Sequence, residues 1–266
     1  APQVENLATE IGRELSIAFN DAVQITDCVA SHDLSLPLLK RLCQTERELL
    51  LDLRYEGSLE ALRQLRQGHC AFAGIHLPLS RPELAQRGSK VHRAFGPLLR
   101  LGREKLIRVA HRTQGLFVAQ GNPLGVRGIE DLPRLRFVNR APTTGTRALL
   151  EELLARHRIE PASIRGFNHE ESNHLAVAAA VASGAAEAGF GIQAAATGKS
   201  IDFVPLVVED YFLVCERETL ETPAARAIVS LLSSDHWREQ VAQLAGYSAQ
   251  GAGEIVSLRR TLPWYR

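Results

Sequence analysis

The chain has 266 residues, of which 45% are hydrophobic and 23% are charged. These values are typical of globular proteins and exclude a disordered, collagen-like or coiled-coil chain. The length suits one large domain or two lobes of medium size. With 31 basic and 30 acidic residues the net charge is only +1, so the chain lacks the broad positive field with which proteins hold nucleic-acid phosphates.

The composition includes no methionine, and the sequence opens on Ala1. We therefore expect that an initiator methionine, a signal peptide or a whole N-terminal domain has been removed. No window approaches the roughly 18 consecutive apolar residues of a membrane span. The cysteines lack the CxxC spacing of zinc or redox sites, which predicts free thiols in a reducing, cytoplasmic compartment. They are Cys28, Cys43, Cys70 and Cys215.

An amphipathic helix is predicted at the start of the chain. Val4, Leu7, Ile11, Leu15 and Phe19 recur three or four positions apart, which places them on one helix face. This apolar face needs a partner, and two remain open: the domain that follows, or the same helix of a second copy. We assign residues 1–21 to a linker helix.

After residue 21 the pattern becomes α/β, because short buried strands are each followed by a polar loop and a helix. Strands are predicted at 22–29, 49–55, 69–76, 106–111, 116–119, 136–139, 187–191 and 203–208. Helices are predicted at 34–42, after Gly57, and at 147–156, 173–183, 224–233 and 235–244. No Pro/Gly/Ser spacer divides the elements, so we predict two lobes that share hinge strands. The first lobe comprises 22–110 and 206–266, and the second 111–205.

Four loops share one geometry, in which a strand ends and a small polar or glycine segment opens a helix. They contain Ser31-His32, Gly57-Ser58, Thr143–Thr146 and Asn173. Helix N-termini carry unpaired N–H groups and a partial positive charge, so several of them together favour an anion. In open α/β sheets ligands lie at the carboxyl ends of the strands, where these loops are. Simple helix capping remains the alternative role for each loop.

Motifs of enzymes are weak in this chain. Gly189-Phe190-Gly191-Ile192-Gln193-Ala194 matches a relaxed dinucleotide fingerprint, with Glu209 and Asp210 downstream, but it follows a very short strand deep in the chain. Ser31, His32 and Asp33 are adjacent and cannot align as a catalytic triad. The histidines lack metal-ligand spacing. We therefore predict no catalytic residues, no metal site and no enzyme activity.

One further segment is strongly basic. From Arg87 to Arg112 there are eight Lys or Arg residues and a single acid, Glu104. A solvated face that is balanced elsewhere and a field that attracts an anion both remain open.

An ordered set of short stretches resembles the periplasmic-binding-protein-like domain that is fused to bacterial helix-turn-helix regulators and to molybdopterin-biosynthesis proteins. That domain is similar to type II receptors for molybdate and tungstate. The resemblance covers residues 22–258. It depends on Ser31-His32-Asp33, Gly57-Ser58-Leu59-Glu60-Ala61-Leu62, Ala73-Gly74-Ile75-His76-Leu77, Arg112-Thr113-Gln114-Gly115-Leu116, Gly121-Asn122-Pro123-Leu124, Phe137-Val138-Asn139-Arg140, Gly145-Thr146-Arg147, 174–184 and Ala245-Gly246-Tyr247.

The resemblance implies two α/β lobes of the type II fold with a small oxyanion in the cleft between them. It implies that Ser31 and Ser58 are hydroxyl donors, that the loop Thr143, Thr144, Gly145 and Thr146 offers backbone N–H groups, and that Tyr211 is a phenol donor at the hinge. Arg140 and Arg147 flank that loop and are expected to favour anions. The remaining candidates for the cleft are His32, Gly57, His76, Asn173 and His174.

The function that follows is a ligand-sensing effector domain of a bacterial transcriptional regulator that binds molybdate or tungstate and needs no other cofactor. DNA contact is expected only through a missing N-terminal domain, and a homodimer through the N-terminal helix. The alternative is a free-standing periplasmic receptor of an ABC transporter for an oxyanion or a small organic anion.

Overall fold

The structure, a computed structural model, describes residues 24–265, so the predicted linker helix lies outside the described residues. The described part forms ten strands: Gln24–Ala30 (β1), Leu49–Tyr55 (β2), Phe72–Leu77 (β3), Glu104–Ala119 (β4), Phe137–Arg140 (β5), Glu170–Glu171 (β6), Ala188–Ile192 (β7), Ile201–Glu216 (β8), Tyr247–Ser248 (β9) and Ile255–Ser257 (β10). It forms eight α-helices: Ser35–Arg47 (α1), Ser58–Arg66 (α2), Lys90–Phe95 (α3), Gly145–Arg156 (α4), His174–Ala182 (α5), Pro223–Leu232 (α6), Asp235–Ala242 (α7) and Leu258–Thr261 (α8).

The strands form one mixed sheet with the order β2-β1-β3-β8-β4-β7-β5-β6, and β9 and β10 pair with β4. β1 is parallel to β2 and β3, and β5 is parallel to β6 and β7. β8 is antiparallel to β3 and to β4, and β4 is antiparallel to β7. The predicted two-lobed α/β fold is confirmed.

Each of the two lobes has its own clusters of buried apolar side chains. Two buried clusters combine β1, β2 and β3 with the first half of β4 and the end of β8; we call this part the first lobe. Two further clusters combine β5 and β7 with the second half of β4 and the start of β8; this part is the second lobe. The chain boundaries given above for the two lobes stay predictions.

The two hinge strands, β4 and β8, are 16 residues long each. The sequence predicted two separate strands in place of β4 and ended the last strand at residue 208, which was wrong. The alternation of apolar residues breaks at Arg112, Gln114 and Glu209, yet these polar side chains are buried within the continuous strands. The sheet therefore continues through the polar segments and places them between the lobes.

A bulge bends β4 next to these polar residues. The register of β4 against β8 shifts between Gln114 and Gly115. A Cβ at Gly115 would lie 2.1 Å from the carbonyl oxygen of Val204, so only glycine fits here.

Four helices begin at the junction of the lobes: α1, α2, α4 and α5. The side chain of Thr144 accepts a hydrogen bond from Arg147 N at 3.2 Å and caps α4. Asn173 caps α5 in the same way, accepting from Ala176 N at 2.9 Å. In the sequence the helix at α4 was expected to start at Arg147, but it includes Gly145 and Thr146 as its first turn.

Among residues 24–265 no helix is long and apolar enough to span a membrane. The cysteines are buried free thiols, as predicted. Burial raises the pKa of Cys70 to about 11, so this thiol is unreactive at neutral pH.

Candidate functional site

Asp33 lies at the centre of the junction between the lobes and is fully buried. Its Oδ2 accepts hydrogen bonds from Arg112 NH1 at 2.9 Å, from Tyr247 OH at 2.8 Å and from His76 Nε2 at 3.2 Å. Its Oδ1 accepts from the backbone N–H of Ser35 at 2.8 Å and from the Ser35 hydroxyl. Burial opposes ionisation, but the bond from His76 and the charge of Arg112 hold the pKa of Asp33 well below its usual range.

Arg112 connects this carboxylate to a second one on the other hinge strand. Its Nε and NH2 donate to Glu209 Oε2 at 3.0 and 2.9 Å. Gln114 Nε2 donates to the same oxygen at 2.8 Å and also to Thr146 Oγ1 at 3.1 Å. Burial disfavours the charge of Arg112, but Glu209 and Asp33 outweigh it and raise its pKa. The network ties both hinge strands to the first turn of α4.

Ser31, His76 and Asp33 form a line of hydrogen bonds across the first lobe. His76 Nε2 faces Asp33, and His76 Nδ1 lies 2.8 Å from Ser31 Oγ. Since a carboxylate accepts only, Nε2 carries the proton and Nδ1 accepts the proton of Ser31. Ser31 was expected to be a donor to the ligand, but in this arrangement its proton is directed to His76.

This line differs from a hydrolase triad in two respects. In such triads His Nε2 faces the hydroxyl and Nδ1 faces the carboxylate, whereas the ring of His76 is the other way round. Burial and the charge of Arg112 lower the pKa of His76 to about 4, so the ring is a weak base. The geometry fits a role in fixing Ser31.

Arg140 is a buried cation without an anionic partner in the described part of the chain. It ends β5, and its guanidinium Nε and NH1 have no hydrogen-bond partner among residues 24–265. No carboxylate of the described part lies within ion-pair distance of it. Burial and the positive charge of Arg112 lower the pKa of Arg140 to about 10, so it stays charged at neutral pH. An unpaired buried charge is costly, and a bound anion would relieve this cost.

The first turns of α2 and α4 meet across the cleft. A Cβ at Gly57 would lie 2.6 Å from the carbonyl oxygen of Thr143, and one at Gly145 would lie 3.4 Å from Ser58 Oγ. Ser58 is fully buried, and its hydroxyl has no partner in the described part. The N–H groups of a first turn have no partner inside their helix, so donors of both lobes converge here.

Two buried histidines, His174 and His32, also belong to the site between the lobes. His174 Nδ1 and His32 Nδ1 are buried and unpaired among the described residues. Burial, followed by the charges of Arg140 and Arg112, lowers the pKa of His174, and burial also lowers the pKa of His32. Both rings are therefore neutral at pH 7.

Tyr211 was expected after the return strand but lies inside β8, stacked on His76 with ring centroids 4.2 Å apart. Its hydroxyl is buried without a partner in residues 24–265.

Four predicted site residues have other roles in the structure. Arg147 donates from Nε to Glu151 at 2.8 Å and from NH1 to the carbonyl of Arg140 at 3.1 Å, and its guanidinium lies 4.1 Å above the ring of Phe167. Thr144 and Asn173 cap helices with their side chains. Thr143 is exposed and contributes its backbone to the contact with α2. Of the two predicted arginines, Arg140 alone remains available to an anion.

The sequence interpretation missed five residues of the site: Asp33, Arg112, Gln114, Glu209 and Tyr247. Signals for them were present. Arg112 and Gln114 stand in one of the stretches that carry the family resemblance, and Glu209 was considered only as a ribose ligand. What was missing was the continuity of β4 and β8, which brings Arg112 opposite Glu209.

Part of the basic segment 87–112 is balanced by acids inside and outside it. Arg100 pairs with Glu104 and Glu216 at 2.9 and 2.7 Å, and Arg108 contacts Asp210. Only Arg112 of this segment enters the site.

The glycines of the dinucleotide fingerprint serve close packing. A Cβ at Gly191 would lie 2.5 Å from the ring of Phe117 and 3.0 Å from His174 Nδ1. In the described residues, no three His, Cys, Asp or Glu side chains are grouped so that they could hold a metal ion.

The arrangement can hold a small ligand at a closed junction of two lobes, with one free positive charge and hydroxyl and amide donors around it. Two α/β lobes joined by a pair of long hinge strands, with a polar site between them, define the type II periplasmic-binding fold. The chain belongs to the PBP superfamily, whose domain model matches residues 39–233.

The chain is also similar to a curated relative and to solved structures. The uncharacterized protein YvgK of Bacillus subtilis is 30% identical over 230 residues, which are 86% of this chain and 72% of YvgK. A phosphate ABC transporter substrate-binding protein from Clostridium perfringens, solved with bound phosphate, is 11% identical with a TM-score of 0.62 over 88% of this chain and 99% of its own. The effector binding domain of QuiR in complex with shikimate is 13% identical with a TM-score of 0.57 over 79% of this chain and 95% of its own. At these identities the solved structures show a shared fold.

Proposed function

We propose that this chain is a ligand-sensing effector domain that binds a small anion between its lobes. The observation that carries the proposal is Arg140, a buried guanidinium with two unpaired nitrogens, Nε and NH1, and no carboxylate partner among residues 24–265. Ser58 faces the same junction with an unpaired hydroxyl. A cationic site of this kind is costly when empty and favourable when an anion fills it.

The two lobes offer different parts of the site. Ser58 and the start of α2 belong to the first lobe, whereas Arg140 and the start of α4 belong to the second. Both sets of donors reach one ligand only when the lobes are closed, so the ligand favours closure through its higher affinity for that state. Closure is the signal that an effector domain passes on.

The biological setting is part of the proposal. We assign the domain to a bacterial transcriptional regulator in which a separate N-terminal domain contacts DNA and the helix predicted at 1–21 pairs two copies of the chain. The family resemblance makes molybdate and tungstate the first oxyanions to test. A free-standing receptor of an ABC transporter is the second candidate, favoured by the likeness to the phosphate-bound substrate-binding protein. Specific DNA binding by the full-length protein would favour the regulator.

The test is a thermal-shift and calorimetric screen of oxyanions and small organic acids against the wild-type chain and Arg140→Met. We expect at least one anion to bind the wild type at micromolar to millimolar concentration and to lose most of its affinity in the variant. Arg147→Met is the matched control, since Arg147 is a buried arginine of the same segment that pairs with Glu151. It should lose stability but keep binding. Equal anion affinity in the wild type and Arg140→Met would refute the proposal.

A further inference from the structure

Besides the unpaired donors of Arg140 and Ser58, the described residues of the cleft include buried hydrogen-bond acceptors without a partner. Within residues 24–265, Glu209 Oε1 and Gln114 Oε1 are buried and accept no hydrogen bond. Three donated bonds, two from Arg112 and one from Gln114, all end on the other carboxylate oxygen, Glu209 Oε2. A buried oxygen without a donor has lost its hydration without compensation. The described residues therefore supply no hydrogen donor to these two oxygens beside the hinge strands.

The amide of Gln114 is fixed in orientation. Its Nε2 donates to Glu209 Oε2 at 2.8 Å and to Thr146 Oγ1 at 3.1 Å. Turning the amide over would place Oε1 against a carboxylate oxygen that has no hydrogen to give. Gln114 Oε1 is thus an acceptor by necessity.

Ser31 adds a third acceptor. Its proton is directed to His76 Nδ1 at 2.8 Å, and the carbonyl oxygen of Gly74, 3.5 Å away, is the other acceptor within reach. The Ser31 oxygen therefore has only lone pairs to offer a ligand. The orientation of His76 is fixed in turn by Asp33, which also accepts from Arg112 and Tyr247. The order of these bonds leaves no free hydroxyl hydrogen on Ser31.

The acceptors and the donors belong to one site. Gln114 is bonded to Thr146 in the first turn of α4, and the preceding residue, Gly145, passes close to the unpaired hydroxyl of Ser58. The charge of Arg140 helps to lower the pKa of His174 and of His32, and the charge of Glu209 acts to raise the pKa of His76. These side chains therefore lie near one another. A ligand that fills this junction meets a guanidinium on one side and three oxygen acceptors on the other.

We infer that the ligand is an anion that also carries at least one hydroxyl group or protonated oxygen, which donates to Glu209 or Gln114. The inference rests on the proposed function and narrows its ligand class. Sulfate, molybdate and tungstate carry no proton at pH 7, so they leave the acceptors empty and place negative oxygens near Glu209. Hydrogen phosphate and small hydroxy acids share the required chemistry.

The test compares matched ligands by isothermal titration calorimetry at pH 7 and constant ionic strength. Phosphate is compared with sulfate, molybdate and tungstate, which share its tetrahedral shape. Glycolate is compared with acetate, and malate with succinate, so that each hydroxy acid has an analogue that lacks the hydroxyl. We expect the proton-bearing member of at least one series to bind about tenfold or more tightly than its analogue. The series that shows the difference identifies phosphate or a hydroxy acid as the source.

A pair of variants locates the selectivity. In Glu209→Gln we expect the preference for the proton-bearing ligand to shrink several-fold, because the carboxylate that accepts its hydrogen is gone. Glu104→Gln is the control: Glu104 is a buried carboxylate that pairs with Arg100 outside the cleft, so its variant should keep the wild-type ratio. The wild-type comparison remains decisive even if Glu209→Gln fails to fold.

The outcomes separate the two proposals. If sulfate, molybdate or tungstate binds as tightly as phosphate, and the deoxy acids bind as tightly as the hydroxy acids, anion binding stands but the inference is wrong, and water fills the acceptors. If no anion of either series binds at millimolar concentration, both the inference and the proposed function are overturned.

Discussion

Arg112 NH1 lies 2.9 Å from Asp33 Oδ2 and ties hinge strand β4 to the loop that follows β1. The same guanidinium pairs with Glu209 on β8 at 2.9 Å, and all three side chains are almost completely buried. One arginine thus compensates two carboxylates at the point where the lobes meet.

Arg112→Met should therefore destabilise the protein strongly. It leaves two buried carboxylates without their cation, which costs about 3–5 kcal/mol. Urea denaturation monitored by circular dichroism measures the loss. Arg63→Ala is the control, because Arg63 pairs with Glu60 at 3.1 Å on the surface and such pairs contribute about 0.2–1 kcal/mol. Similar losses in both variants would contradict the assigned role of Arg112.

Ser31→Ala and Ser58→Ala should have opposite effects on the ligand-free protein. Ser31→Ala leaves His76 Nδ1 without its donor and should cost about 1–3 kcal/mol. Ser58→Ala removes a buried hydroxyl that has no partner in the described part, so stability should be unchanged or slightly higher. In contrast to its stability, the anion affinity of Ser58→Ala should fall about tenfold, because a hydroxyl donor to the ligand is lost. Thermal denaturation and calorimetry of both variants check this, and a stable Ser31→Ala protein would show that the His76 line is unimportant.

Gly57→Ala should disfavour the closed state. A Cβ at Gly57 would lie 2.6 Å from the carbonyl oxygen of Thr143 in the other lobe, and backbone on both sides leaves little room to yield. We expect weaker anion binding and a larger radius of gyration by X-ray scattering in the presence of ligand. Gly128→Ala is the control, since the nearest atom there is the flexible carboxylate end of Glu130. Wild-type affinity in Gly57→Ala would mean that the lobes do not need this contact.

The residues that carry apolar periodicity made the fold predictable. Strand β2 has the predicted bounds, and the capping pair Thr222-Pro223 opens α6 as expected, with Thr222 accepting from Ala225 N at 3.2 Å. The full length of the hinge strands was missed because their middle parts carry buried polar side chains. There Gln114 and Glu209 are buried polar residues between the lobes, so they interrupt the apolar pattern that identifies a strand.

The site was predictable to the extent that local sequence determines it. Ser58 and Arg140 stand next to elements that the sequence placed well, and both line the junction. Arg147 and Ser31 illustrate the limit: their free donor atoms depend on Glu151 and His76, which are four and 45 positions away. Whether a donor hydrogen is already engaged in a hydrogen bond depends on the three-dimensional structure. The spacing of residues in the sequence does not predict it.

The last prediction concerns acid stability. Burial and the charge of Arg112 lower the pKa of His76 to about 4, whereas an unfolded histidine titrates near about 6.5. Between these values the unfolded chain binds a proton that the folded protein excludes, so stability is fully present above pH 6.5 and is lost as the pH falls toward 4. His76 alone should account for about 3 kcal/mol across this range.

Urea denaturation at a series of pH values checks this dependence. His76→Gln removes one titrating group and should reduce the slope, and the slope that remains includes the contribution of His174, whose pKa burial lowers as well. Asp33 acts in the same direction but at lower pH, because its depressed pKa makes its contribution fade only below about pH 4. An unchanged slope in His76→Gln would show that this histidine is not held neutral in the folded protein.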